Sequence, residues 1–201
     1  RMSFNREIEV GDSTIVISQQ LDSDVNGVVW DSALVAIHYL SKRSDLINGK
    51  KIMELGSGTG VVSIGCASIG ECNVIATDLP DRIDIIMKNI KLNEGVMKGE
   101  VKSDSLDWNI PYDKNIDIDL LLVIDCVYYR DSVNALLDTI KGINATKTLI
   151  GYEKRDIGEP VEAQKQFMDI INNEFNIEMV SNEDLDEYAC DDIQLFFISV
   201  K

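Results

Sequence analysis

The sequence is short of cations, of histidine and of long apolar runs, and each shortage closes off a class of function. Lys and Arg number 19 against 35 Asp and Glu, for a net charge of -16. A field of that sign repels phosphate backbones and favours cationic partners, which speaks against nucleic acid as a substrate. No stretch reaches the roughly 18 consecutive apolar residues of a membrane-spanning helix. Residues 2–20 alternate charged and apolar positions and lack the apolar core of a signal peptide. No membrane association is expected. The one histidine, His38, lies on a segment of helical spacing, where packing explains it better than general-base chemistry. Cys66, Cys72, Cys126 and Cys190 form no CxxC pair and have no histidine near them, so no metal site is expected. Cys66 and Cys126 sit in apolar runs, as buried thiols of a reduced, cytoplasmic protein do. There is no Ser-His-Asp set, no phosphate-binding P-loop, no internal repeat and no interdomain linker.

What is present is an alternation of strand and helix patterns. The length of 201 residues suits one domain, 1–201, with residues 2–27 as an N-terminal extension and 28–201 as the core. Residues 4–18 alternate through Ile8, Val10, Ile15 and Ile17 about Gly11-Asp12-Ser13, which predicts a β-hairpin. Asp31 is placed to cap a helix carrying Leu34, Ile37, Tyr39 and Leu40. Strands are expected at 51–55, 73–77, 100–105, 118–124 and 146–152. The run 118–124 is the most continuous apolar one, as in a central strand buried on both faces. Helices are expected at 59–69, after Pro80 through Ile83, Ile86, Met87 and Ile90, at 131–143 and at 159–175. Two last strands, 177–180 and 195–200, are joined by a loop at 181–192, so the final strand is expected to run antiparallel. The order implies an α/β, Rossmann-like sheet of seven strands with helices on both faces.

The strongest local signal is Glu54-Leu55-Gly56-Ser57-Gly58-Thr59-Gly60, between a predicted strand and a predicted helix. Glycines let the backbone turn sharply and come close to a ligand. The dinucleotide fingerprint needs GxGxxG. GxGxG with an acid two places earlier is instead typical of loops that hold S-adenosylmethionine. Asp78 ends the second strand of the alternating region, where a carboxylate can take both hydroxyls of a ribose, or else cap the helix after Pro80. Trp108 follows the third, where an aromatic face can stack on adenine, though a core tryptophan would read the same. Asp125 ends the fourth, in Ile124-Asp125-Cys126-Val127-Tyr128-Tyr129. A carboxylate there can orient an amine, and the rings attract cationic nitrogen. A helix cap followed by core aromatics is the alternative.

Together, Val28-Val29-Trp30-Asp31, the glycine loop, Thr77-Asp78-Leu79, Leu106-Asp107-Trp108 and Asp125-Cys126-Val127-Tyr128 resemble the seven-strand protein-lysine methyltransferases, methyltransferase family 16. The likeness covers about 28–201. Tyr128-Tyr129, Tyr152-Glu153-Lys154-Arg155, and Glu187-Tyr188 leading to Asp191-Asp192-Ile193 tilt it toward members that act on valosin-containing protein. The resemblance implies cofactor contacts at Trp30, Glu54, Gly56, Ser57, Gly58, Asp78, Trp108 and Ile124. It implies catalytic roles for Asp125 and Tyr128 in the family's D/E-x-x-Y/F motif. The implied cofactor is S-adenosyl-L-methionine, leaving S-adenosyl-L-homocysteine. The implied partner is a protein lysine on valosin-containing protein or another chaperone-like ATPase, and a monomer is favoured. Two other readings stay open: an amine methyltransferase acting on nucleic acid, and a silent cofactor-binding module.

Overall fold

The computed structural model describes residues 3–20, 27–112, 116–185 and 189–201. The Glu187-Tyr188 piece lies outside them. The chain opens with β1 (Ser3–Val10) and β2 (Ser13–Gln20), an antiparallel hairpin that pairs Val10 with Ser13 across a turn at Gly11. Then come α1 (Asp31–Ser41), β3 (Lys51–Leu55), α2 (Val61–Ile69), β4 (Asn73–Asp78), α3 (Ile83–Leu92) and β5 (Glu100–Ser105). The second half holds β6 (Leu120–Ile124), α4 (Val133–Ile143), β7 (Lys147–Glu153), α5 (Glu159–Glu174), β8 (Phe175–Met179) and β9 (Ile193–Val200).

The main sheet has seven strands in the order β5-β4-β3-β6-β7-β9-β8. The first five run parallel, and β9 is antiparallel to both β7 and β8. A parallel sheet must be covered on both faces, and its middle strand carries the signature: all five residues of β6 are buried. One apolar layer joins α1, α2 and the hairpin to the sheet through Ile15, Ile17, Ile37, Leu40 and Ile64. The other lies beneath α4 and α5, around Leu136, Ile140, Phe167 and Ile171. Among the described residues no helix is long and apolar enough to cross a membrane.

Three local expectations are corrected. Asp31 does not cap α1; Trp30 holds the capping position without a side-chain bond, and Asp31 begins the helix, where its charge meets the positive end of the helix dipole. The helix expected from residue 59 begins at Val61, because Gly60 sits at φ 78° and breaks helical geometry. Pro80 opens a short 3-10 turn, Pro80–Arg82, before α3.

The hairpin is tied down by two buried asparagines. Asn93 Oδ1 accepts from Val16 N–H at 2.8 Å, and its amide donates back to Val16 O at 2.8 Å. Asn89 does the same to Ser18, at 2.8 and 3.1 Å. These side chains pair the free edge of β2 as a further strand would. Asn89 also donates to Thr59 O in the glycine loop at 2.8 Å, so one side chain joins hairpin and loop. Asn89→Leu leaves those buried groups unpaired. It is expected to cost about 3 kcal/mol and to lower the melting temperature by roughly 6–12 °C, read by circular dichroism.

Candidate functional site

In an open parallel sheet, loops at the carboxyl ends of strands gather where the strand order reverses. Here β3 leads outward to β4 and β5, and the chain then returns to β6 on the other side of β3. The crevice between β3 and β6 is therefore the expected ligand position. A cavity of about 510 Å³ opens there, within the usual range for small-molecule sites. All ten residues singled out from the sequence line it: Trp30, Glu54, Gly56, Ser57, Gly58, Asp78, Trp108, Ile124, Asp125 and Tyr128.

The floor is the loop after β3. Gly56, Gly58 and Gly60 have φ of 61°, 54° and 78°, a left-handed region that side chains disfavour. Space adds a second constraint at Gly56, where a Cβ would stand 2.9 Å from Cys126 Sγ and 3.4 Å from the Trp108 ring. Ser57 N–H donates to Thr77 O at 2.9 Å, and Thr77 Oγ1 donates to Glu54 O at 2.7 Å, which binds the loop to β4.

The two acids flanking this floor differ in employment. Glu54 is 2% exposed. Its Oε2 accepts from Ser63 N–H at 3.0 Å and from the Ser63 hydroxyl, so it caps the first turn of α2 from the strand behind it. Burial pushes the Glu54 carboxyl up to about 7, against the pull of the Ser63 bonds. Asp78 faces the loop: Oδ2 accepts from Gly58 N–H and Oδ1 from Leu79 N–H, both at 2.7 Å. Burial raises its carboxyl too, opposed by those two backbone bonds. Neither oxygen caps the turn after Pro80, the other role the sequence allowed.

The raised Glu54 has a thermodynamic consequence. An unfolded glutamate titrates near ~4.3, whereas Glu54 in the fold titrates at about 7. Between those values the folded state holds the extra proton, so stability is full below the lower value and falls as pH rises through the upper. Glu54→Gln lacks this dependence. It is expected to keep about 3 kcal/mol that the wild type loses between pH 4 and 8, read by chemical denaturation at both ends.

The opposite wall comes from the segment after β6. Asp125 has φ 55°, one of two non-glycine residues with positive φ among those described. Its N–H donates to Gly151 O at 2.6 Å, which ends β6 against β7. Left-handed backbone at a non-glycine residue is costly and tends to persist where function needs it. Burial raises the Asp125 carboxyl, while Ser32 and Arg155 beside it pull it down. Tyr128 is half-buried and Tyr129 exposed, their rings edge to face at 4.6 Å. Cys126 is buried, its Sγ 3.1 Å from Leu55 O, and burial holds the thiol well above its ordinary value. His38 is outside the cavity lining.

Two lining residues carry no sequence signal of their own. Arg155 follows β7, and Gln164 projects from α5. Both reach the same rim, since β7 ends beside β6.

Residues 10–174 match the lysine methyltransferase family. The chain belongs to that family. Among curated members, protein-lysine methyltransferase METTL21E of Mus musculus is 31% identical over 77% of this chain and 65% of its own length. METTL21E of Bos taurus is 31% identical over 77% and 55%. EEF1A lysine methyltransferase 3 of Xenopus tropicalis is 31% identical over 76% and 67%. The chain thus spans less than two thirds of both METTL21E proteins. Among solved structures, a T. thermophilus 16S rRNA methyltransferase bound to AdoMet and guanosine superposes with a TM-score of 0.67 at 9% identity, covering 100% of this chain and 51% of that one. A SAM-dependent methyltransferase from Aquifex aeolicus gives 0.57 at 15% identity, covering 84% and 92%. At such identities the likeness is one of fold: this family member has the α/β methyltransferase sheet.

Proposed function

We propose that the chain is an S-adenosylmethionine-dependent protein-lysine N-methyltransferase. One observation carries the reading: a single cavity unites the left-handed glycine loop, the Asp78 carboxylate and the Asp125–Tyr128 pair. The residues suit the cofactor. The loop leaves room where a side chain at Gly56 would meet Cys126 and Trp108. Asp78 retains lone pairs for two ribose hydroxyls beside its two backbone bonds. Trp108 and Ile124 give an apolar wall for adenine, and Trp30, Ser57 and Gly58 complete the surround. Bound there, S-adenosylmethionine supplies a methyl group on a sulfonium, ready for in-line displacement.

The chain's part is to present a neutral amine in line with that methyl group and to exclude water. Lysine, with a pKa of about 10.4, must lose its proton first. Asp125 is too weak a base to remove it at neutral pH, so the proton leaves to water before the amine is enclosed. Asp125 then accepts from the amine and aims its lone pair, and Tyr128 provides an aromatic face that tolerates a methylated nitrogen.

For the substrate we propose a lysine of valosin-containing protein, on the strength of the Tyr128-Tyr129 and Tyr152–Arg155 pieces. Relatives named for EEF1A make that protein the natural comparison. The net charge of -16 supports a lysine-bearing protein surface over a polyanion. The buried free thiols of Cys66, Cys72 and Cys126 support a reducing, cytoplasmic setting. The test is radiolabelled cofactor with purified valosin-containing protein, EEF1A, RNA and DNA, followed by mass spectrometry. A labelled lysine on valosin-containing protein is expected, lost when that lysine becomes arginine. Label on EEF1A alone rejects the partner and keeps the chemistry. Label on nucleic acid alone rejects both.

A further inference from the structure

Arg155 places a permanent positive charge at the acceptor end of the cavity. Its guanidinium Nη2 lies 3.0 Å from Glu153 Oε2 and 3.7 Å from Asp125 Oδ2. Its Cζ stands 5.3 Å from the centre of the Trp30 ring. The backbone beneath is fixed as well. Arg155 N–H donates to Gln164 Oε1 at 3.2 Å, and Gln164 Nε2 donates to Glu153 O at 2.8 Å. Gln164 is itself buried, so one amide staples both ends of the segment that carries the guanidinium.

An exposed ion pair contributes little. This cation differs in place and in company. Its side chain is only about a third exposed, at 32%. Two segments distant in sequence meet on it, the start of α1 through Trp30 and the end of β6 through Asp125, beside its own neighbour Glu153 at the end of β7. The planar group suits that junction, because it can stack on a ring and still donate at its edge. We infer that Arg155 is a positioning residue for the acceptor end of the site: its guanidinium ties the Asp125 carboxylate to the Trp30 ring and fixes both for the incoming amine. The inference rests on the methyltransferase reading above and adds a residue to it.

The charge relations around Asp125 give the direction of the effect. The groups facing it are Arg155 and Glu153 from β7 and the segment after it, and the Ser32 hydroxyl of α1. Burial and the Glu153 carboxylate oppose the ionised form of Asp125; the Ser32 hydroxyl, Arg155 and the Glu153 backbone N–H favour it. Without the cation, no positive charge offsets the Glu153 carboxylate, and the Asp125 carboxyl moves further up. A carboxyl that has taken a proton no longer accepts from an amine.

The experiment compares wild type, Arg155→Gln and Arg155→Lys by three readouts. Carbon-13 NMR of the Asp125 carboxyl is expected to titrate at higher pH in the glutamine variant and near wild type in the lysine variant. The kcat at neutral pH is expected to fall about tenfold in Arg155→Gln, with part restored by Arg155→Lys. The acid break of the kcat profile is expected to move up with the carboxyl. In a Trp108→Phe background, Trp30 emission is expected to shift in both variants, because neither puts a guanidinium over the ring. Equal Asp125 titration in wild type and Arg155→Gln overturns the inference. A kcat within twofold of wild type also overturns it. If the wild type labels no lysine at all, the functional reading fails, and the NMR titration and Trp30 emission still decide the role of Arg155.

Discussion

Asp125→Asn is expected to lose on the order of a hundredfold in kcat while binding S-adenosylmethionine with near wild-type affinity. The choice of asparagine follows from the backbone. Asp125 sits at φ 55°, and Asn is among the few residues that tolerate that region. Its backbone bond to Gly151 O is independent of the side chain and survives. What changes is one oxygen becoming an amide and one charge being lost. The amine then meets a donor or a weaker acceptor, and its lone pair is no longer aimed. Asp125→Ala is expected to lose at least as much activity, with an added cost of about 1–2 kcal/mol in stability, because alanine is strained at that φ. Single-turnover kinetics and calorimetric cofactor binding on the same preparations separate chemistry from binding. Near-normal turnover in the asparagine variant would remove Asp125 from the mechanism.

Much of the fold was legible because its signals are local. The run through Leu120–Ile124 is apolar without break, and that pattern belongs to a strand covered on both faces. The absence of a helical pattern between β8 and β9 announced their antiparallel pairing. Boundaries failed where one residue's backbone overrode the periodicity: Gly60 delayed α2, and Pro80 opened a 3-10 turn before α3. Site residues at strand ends were legible for a related reason. A parallel sheet delivers every carboxyl end to one rim, so Gly56, Asp78, Trp108 and Asp125 had to meet once their strands were recognised.

The residues that escaped act through contacts between distant parts of the chain. Asn89 lies mid-helix, and nothing in its neighbourhood says that it bonds both the hairpin and the glycine loop. Arg155 was visible only as part of a resemblance. The strand-end rule reaches it in principle, since β7 ends at Glu153, two residues before it. Its place over the Trp30 ring depends on how α1 packs across the sheet, which spacing does not encode. Glu54 is a mixed case: it lines the cavity as its place beside the loop suggested, and its Oε2 also takes two hydrogen bonds from Ser63, which no local signal announces.

Asp78 carries the largest expected effect on cofactor affinity, and its asparagine variant is expected to fail as badly as its alanine variant. Both carboxylate oxygens are already engaged, one with Gly58 N–H and one with Leu79 N–H, each at 2.7 Å. An asparagine must turn its NH2 toward one of those two donors. Donor would then face donor at a side chain only 7% exposed. Either the loop at Gly58 lifts or the turn at Leu79 does. Both movements take away the surface on which the ribose would rest, and one of the two hydroxyl acceptors is lost as well. A hydrogen bond to a charged group contributes about 1.5–3 kcal/mol, so losing one or two weakens binding by roughly ten- to ten-thousandfold. Isothermal titration with S-adenosylhomocysteine reads this directly. Asp78→Ala is expected to fall in the same range, because it deletes both acceptors but introduces no clash. Asp78→Glu keeps the charge and displaces it by one methylene, about 1.5 Å, and is expected to stay well below wild-type affinity. If the asparagine variant binds within threefold of wild type, Asp78 serves the loop alone and the ribose is held elsewhere.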